Sequence, residues 1–322
     1  MISGSMNSCG ETAAFFGPAV SVFLRRSIMD RIADFECTYD NAAGVSREIM
    51  ESLDLTYPDA FFHAADIVKI AEAVRKKEGT AFCELPFDHV LEAESMGGIV
   101  KYGDGMTGPL AKEYLASDMK ELLELPEIDF TRGRMKEVLS ACGEIRRRGE
   151  QVVLDVCGPF TILNFLIDTT QVFKSLRKEP KLFAELSGKI GVQLLRYIKE
   201  AEKQGVQMIS YADSVGSVKI LGPKLAAQAV EDFTFCFVKQ MLEQKRADTL
   251  ILLCPKTTFA LLGTGKAALE DYRLPGPMTY GEGCIAAIGK IDMAGQQCIK
   301  NIHYTLKDGV LKQVVLKSQS RG

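Results

Sequence analysis

An α/β fold of the (βα)8, TIM-barrel-like type, in a single domain over residues 29–322, is what this sequence predicts, and three observations carry it. Short β-compatible apolar runs alternate with amphipathic helical stretches from about residue 80 onwards, the pattern of right-handed crossovers and a parallel sheet. Thr249 to Leu253 is mostly apolar, as expected of a strand buried on both faces. The run ends in Cys254-Pro255. Proline cannot donate a ladder hydrogen bond, so the strand stops there, at the end where a βα barrel opens its active-site mouth.

The elements follow in order. Residues 1–28 form a poorly defined leader: Ala13 to Leu24 is apolar, but Arg25-Arg26 follow it, the wrong side for a secretion signal. From Met29 to about Lys76 the pattern is helical, with a turn at Asp54 to Asp59. Thr80 to Phe87 reads as a strand running into a loop, and Ile99 to Tyr102 as a second short strand. In the predicted helix Gly133 to Arg148, Met135, Val138, Leu139, Cys142 and Ile145 share a core-facing stripe. Its end, Arg146-Arg147-Arg148, reads as a solvated terminus complementing the helix dipole, with a ligand site as the alternative. Gln151 to Val156 is a strand that breaks at Cys157-Gly158-Pro159, and helical stretches follow at Thr161 to Ile167 and Gln171 to Arg177. Pro180 opens a long helix to Lys203, closed by Gly205. Val206 to Asp213 is the next strand, and Pro223 to Gln244 the helix that returns to Thr249. Beyond Cys254 the sequence suggests a helix over Thr257 to Leu262, a loop-rich passage from Gly263 to Thr279 and a helix over Gly283 to Ala294. Strands are expected at Gln296 to Asn301 and Val310 to Leu316. Only about seventy residues follow Cys254, while a βα unit takes ~30 or more. The barrel is therefore short of strands or its C-terminal units are abbreviated.

Composition narrows the classes. Hydrophobic content of 47% and charged content of 25% suit a globular core, and the formal net charge of −3 without a basic block argues against a nucleic-acid partner. No apolar run approaches the ~20 residues that cross a bilayer. Nine cysteines, an odd number without a secretory context, point to free thiols in a cytoplasmic protein.

A few residues could carry chemistry. Cys254 is either a thiol at the mouth or a small buried core residue. Asp213, at a predicted strand end, could bind a cation, take a proton or cap a loop. Glu92 and Glu94 are two apart, about 200° around a helix, so one is functional or tethers a loop and the other is solvated. Gly263-Thr-Gly265-Lys266 is not a phosphate loop, since the spacing is wrong and Ala267 has no hydroxyl. Cys254 and Cys298 could converge on one mouth, and a thiolate pair suits zinc.

Several stretches, in order, resemble the uroporphyrinogen decarboxylase superfamily and more closely its methylcobamide-dependent methyltransferase branch. They are Pro86-Phe87 with Glu92-Ala-Glu94 and Met96-Gly97, then Gly133-Arg134-Met135, Gly158-Pro-Phe-Thr161, and Ala212-Asp213-Ser214 running to Leu221-Gly222-Pro223. The likeness covers residues 80 to 256 and is poor in the tail. It implies a barrel enzyme that moves a methyl group between a separate corrinoid protein and a small thiol or methylated substrate, assisted by zinc. In that branch a His-x-Cys pair at this strand end and a later cysteine hold the metal. Cys254 matches the first cysteine and Cys298 the second, while the histidine position falls on Leu252, which binds no metal. Cys284, Glu282, His89 or Asp213 would then complete the site, or the metal is weakened or lost. Asp213 and Glu94 are the implied catalytic residues lining the pocket. A metal-free corrinoid- or tetrapyrrole-binding member is the alternative. Decarboxylation of uroporphyrinogen fits less well: the decarboxylases' N-terminal Arg-Gln-Ala-Gly-Arg segment has no counterpart, and their tyrosine falls on Phe165.

Overall fold

The computed structural model describes residues 45–103 and 108–317; the leader 1–28 lies outside them. Helix α1 (Arg47–Ser52) and a 3-10 turn (Asp59–Phe62) precede α2 (Ala64–Glu78), which ends on Gly79 at φ 67°, a left-handed conformation suited to glycine. Strand β1 (Cys83–Leu85) stops at Pro86 and leads into α3 (Leu91–Ser95). The pair β2 (Ile99–Lys101) and β3 (Leu110–Glu113) forms a separate antiparallel ribbon. Then come α4 (Gly133–Arg147), β4 (Val152–Cys157), α5 (Pro159–Leu166), α6 (Thr169–Lys178), α7 (Pro180–Lys203) and β5 (Met208–Ala212). Helix α8 (Val218–Ala229) kinks at Gly222 before Pro223 and passes through a π-turn, Val230–Thr234, into α9 (Phe235–Gln244). The chain returns as β6 (Leu250–Leu253) and turns at once into α10 (Pro255–Gly263). Its last part holds β7 (Ala267–Arg273), β8 (Met278–Thr279), α11 (Tyr280–Ala287), β9 (Met293–Ala294), β10 (Thr305–Leu306) and β11 (Val310–Leu316).

Seven strands make the main sheet, in the order β1-β4-β5-β6-β9-β11-β7. The first five are mutually parallel, as the strand–helix alternation predicts. The architecture is α/β and barrel-like, but the C-terminal end departs from repeated βα units. Strand β11 runs antiparallel to both β9 and β7, and no ladder joins β7 to β1 among the described residues. Abbreviation takes a particular form: the segment from Met278 to Leu306 packs onto the inner face of the sheet. Tyr280, Cys284 and Ala287 of α11 cluster there with Val153, Met208, Leu250 and Leu252. The outer face carries Leu154, Val156, Ile209, Tyr211, Ile251 and Leu253 against α4, α5, α7 and α9. Side chains of a strand alternate between faces, so each parallel strand feeds two separate cores.

Four local expectations change. The passage predicted as loop from Gly263 to Thr279 contains β7, a strand with little apolar alternation because most of it is exposed at the sheet edge. The helix predicted over Gly283 to Ala294 is α11, which begins three residues earlier behind a Thr279–Glu282 capping box and ends at Ala287, Met293–Ala294 being a strand instead. Gln296 to Asn301 is not a strand; the ladder contact is made by Met293–Ala294, and Cys298 sits on a turn closed by Asn301 N–H donating to its carbonyl at 3.0 Å. Arg146 is no solvated helix end. Its guanidinium donates to the carbonyls of Gly205 and Glu150, both at 2.8 Å, and to the Gln207 side chain at 2.9 Å, tying together the approaches to β4 and β5.

Candidate functional site at the strand ends

Parallel register lines up Asp155, Ser210, Leu252 and Ala294 as one row across the inner face. The same alternation brings Glu84 of β1 to that side. Just beyond the row, at the C-terminal ends of the strands, lies a cavity of about 40 Å3. Its wall includes His89, Asp155, Ser210, Leu252, Cys254, Cys298 and Lys300. That volume holds about three waters, or one small group of similar size.

Two turns deliver the cysteines. Cys254 is the N-cap of α10: its N–H continues the ladder to the Tyr211 carbonyl at 2.9 Å, and its own carbonyl accepts from Thr257 N–H at 2.8 Å. Pro255 at the first helical position forces the change from strand to helix at that residue. Cys298 arrives from β9 through Gly295, where an added Cβ would overlap Thr258 Oγ1 and press on Leu253. Burial first, and then the neighbouring Cys254, push the Cys298 thiol up to about 12.

The charged part of the wall was not singled out in the sequence. The Lys300 ammonium contacts the Glu84 carboxyl and stands 3.0 Å from Asp155 Oδ2. Glu84 and Asp155 meet the same ammonium and influence each other's ionisation. Two carboxyls beside one ammonium resist ionising together, because adjacent negative charges repel. Burial raises Glu84 to about 8, with Lys300 opposing and Asp155 adding. For Asp155, burial is the largest single influence and would raise the value, but Lys300, Glu84 and His89 together outweigh it and the group is lowered. For Lys300, burial works against the charge, and the two carboxylates overcome it. His89 is lowered, first by burial and then by Lys300, which favours the neutral imidazole.

Asp213 and Glu94 do not line this cavity. Asp213 is buried and accepts from Thr161 N–H at 2.8 Å, Thr161 Oγ1 at 2.9 Å and Phe160 N–H at 3.2 Å, so it caps the N-terminus of α5. Of its three possible roles, capping is the one visible, though for a helix fifty residues earlier in the chain rather than the following loop. Any side chain on Gly158 would overlap the Asp213 carboxylate, which explains the glycine before Pro159-Phe-Thr161. Burial lifts Asp213 to about 6 against those donors. Glu94 accepts from Arg134 Nε at 2.8 Å, and the same guanidinium holds the buried Asp88 at 2.9 Å. Glu92 faces the other way and accepts from Cys157 N–H at 2.8 Å. Neither of the paired glutamates is simply solvated.

Of the four groups that would replace the missing histidine, only His89 reaches the cavity wall. Cys284 packs on the inner face beside Tyr280, Glu282 caps α11, and Asp213 caps α5. Among the described residues no three His, Cys, Asp or Glu side chains gather closely enough to hold a metal ion. A catalytic zinc takes three protein ligands. Two thiols beside Leu252 do not fit that requirement.

Known proteins share this frame. Methylcobamide:CoM methyltransferase MtbA of Methanosarcina mazei is 24% identical over 220 residues, covering 66% of this chain and 63% of the relative. MtbA of Methanosarcina acetivorans is 23% identical over the same shares. The chain therefore spans less than two thirds of the length of these relatives. A solved methyltransferase from Methanosarcina mazei superposes with a TM-score of 0.58 at 18% identity, covering 74% of this chain and 72% of the other, and shares the fold. Residues 42–272 match the family described as uroporphyrinogen decarboxylase (URO-D). With well over half of its length accounted for in this way, the chain belongs to the uroporphyrinogen decarboxylase family.

Proposed function

We propose that this protein takes part in corrinoid-dependent methyl transfer, moving a methyl group between a corrinoid carried by a separate protein and a small thiol or methylated substrate in the cavity. The observation that carries this reading is the convergence of Cys254 and Cys298, distant in sequence, on one small cavity at the C-terminal strand ends. Two MtbA relatives named for methylcobamide:CoM methyl transfer support it. Size supports it too: about 40 Å3 accommodates a methyl group and a sulfur but no tetrapyrrole or corrinoid, so the large ring docks over the mouth.

In this reading the inner wall binds and orients the small partner, with Cys254, Cys298 and His89 around it. Asp213 and Glu94 act at one remove: Asp213 holds the α5 terminus beside Cys157, and Glu94 steadies Arg134. Zinc assistance, implied by the sequence resemblance, lacks its third donor, and no step is assigned to it.

The test is loss of methylcobalamin absorbance with a panel of small thiols, with methylated product followed by mass spectrometry. The expected result is turnover above the protein-free control that falls at least about tenfold in Cys254→Ser, a loss of over 1 kcal/mol of barrier lowering. Wild-type turnover equal to the control rules the reading out. Leu252 on the cavity wall favours a second reading, a metal-free binding member. Saturable cobalamin binding without methyl loss would identify it.

A further inference from the structure

The cavity wall combines the Asp155 carboxyl, the thiols of Cys157, Cys254 and Cys298, the His89 imidazole and the Lys300 ammonium, with Glu84 behind them in contact with Lys300. Donor groups of this kind ordinarily gather around a metal ion. Here a positive charge is already present and covalently attached. Lys300 lies two residues after Cys298, on the same turn, and its side chain reaches β1 and β4 to meet Glu84 and Asp155. Asp155 stands in the same inner row as Leu252, with Ser210 between them. At the position where the resemblance calls for a ligating histidine there is thus a methyl-bearing side chain, and on the facing wall a cation. A divalent ion placed between the thiols of Cys254 and Cys298 would find no third donor grouped closely enough with them among the described residues, and it would meet a like charge in a pocket where charges interact several-fold more strongly than in water.

We propose that Lys300 is the resident cation of this site: its ammonium, held by Glu84 and Asp155, takes the place of the metal ion and makes the cavity metal-independent. Leu252 and Lys300 work together, one removing a ligand and the other supplying the compensating charge. Without Lys300 the buried Asp155 and the half-buried Glu84 beside it would lose the ammonium that faces them both, a costly arrangement. A small substrate in the cavity therefore meets an ammonium beside the thiols in place of a Lewis acid. This inference does not depend on methyl transfer, since it holds equally for a protein that only binds its ligand.

Zinc titration of the full chain tests it, by calorimetry and by metal content after dialysis. The proteins compared are the wild type, Leu252→His, Leu252→His/Lys300→Met and Leu252→His/Lys300→Arg. Wild type should retain well below one zinc per chain. Restoring the imidazole while removing the ammonium should give about one zinc per chain, bound at least about tenfold more tightly than by Leu252→His alone. The arginine variant, which keeps the charge, should behave like Leu252→His. One zinc per wild-type chain that is lost in Cys254→Ser would overturn the proposal. So would zinc affinity in folded Leu252→His/Lys300→Met no greater than in Leu252→His. Should Lys300→Met prevent folding, judged by circular dichroism, Asp155→Asn is added to both arms to remove the charge that the lysine balances. Equal zinc affinity with and without Lys300 then overturns the proposal as well.

Discussion

The two faces of the parallel strands differ in kind, although they come from alternate residues of the same short runs. On the outer face Leu154, Val156, Ile209, Tyr211, Ile251 and Leu253 are apolar and closed off by helices. On the inner face the same strands carry Asp155 and Ser210 among Val153, Met208 and Leu252, and β1 adds Glu84. Buried charge is costly unless it is paired, so the inner polar row persists only because Lys300 crosses to it. The outer face holds the fold together, whereas the inner face tolerates a polar layer that adds little cohesion but gives the cavity its character.

That contrast can be broken most forcefully at Arg134, because it shows that buried charge alone does not mark chemistry. This guanidinium lies away from the cavity, between Asp88 and Glu94, and faces the rings of Phe62 and Tyr102. Arg134→Ala should cost ~3–5 kcal/mol by leaving Asp88 buried without its partner. Urea denaturation measures it, and a cost below about 1 kcal/mol would show the pair to be dispensable. On the outer face, Leu154→Ala should lose ~2–5 kcal/mol through cavity formation while leaving reaction per folded molecule unchanged. A matching loss of reaction would mean that the two faces are not separable.

A smaller effect sharpens the comparison through pH. Burial raises Glu92 to about 7 from an ordinary 4.5, against the hydrogen bond from Cys157 N–H. The folded protein therefore holds this proton where the unfolded chain has released it. The resulting stability is fully present below about 4.5 and is lost as pH rises through about 7. Glu92→Gln keeps the acceptor oxygen and removes the ionisation. Its melting temperature should exceed the wild type's at pH 8 and lose that advantage near pH 5. A wild-type advantage at pH 8 would contradict the assignment.

Legibility in the sequence followed the same division. Strand β4 and helix α7 were readable because apolar periodicity, Pro180 and Gly205 all agree on them. Cys254 was placed at a strand end because Pro255 permits nothing else. Strand β7 was missed since an exposed edge strand has no core-facing alternation to read. The Lys300–Glu84–Asp155 cluster was missed because its members are far apart in the chain. Glu84 inside Phe-Cys-Glu-Leu and Asp155 inside Val-Val-Leu-Asp-Val did carry a signal: a carboxylate in a buried run demands a partner. Glu94 looked attractive by its motif, but its partner Arg134 is forty residues away, beyond what local spacing reveals.

The central claim, that the inner strand ends and not the outer core carry the reaction, is tested most directly by comparing two cysteine variants in methylcobalamin demethylation. Cys254 lines the cavity, whereas Cys142 is fully buried in the outer core on α4. The account predicts that Cys254→Ser loses at least about tenfold in rate per folded molecule while Cys142→Ser keeps the wild-type rate at some cost in stability. Equal rates in wild type and Cys254→Ser, or a loss confined to Cys142→Ser, would contradict it.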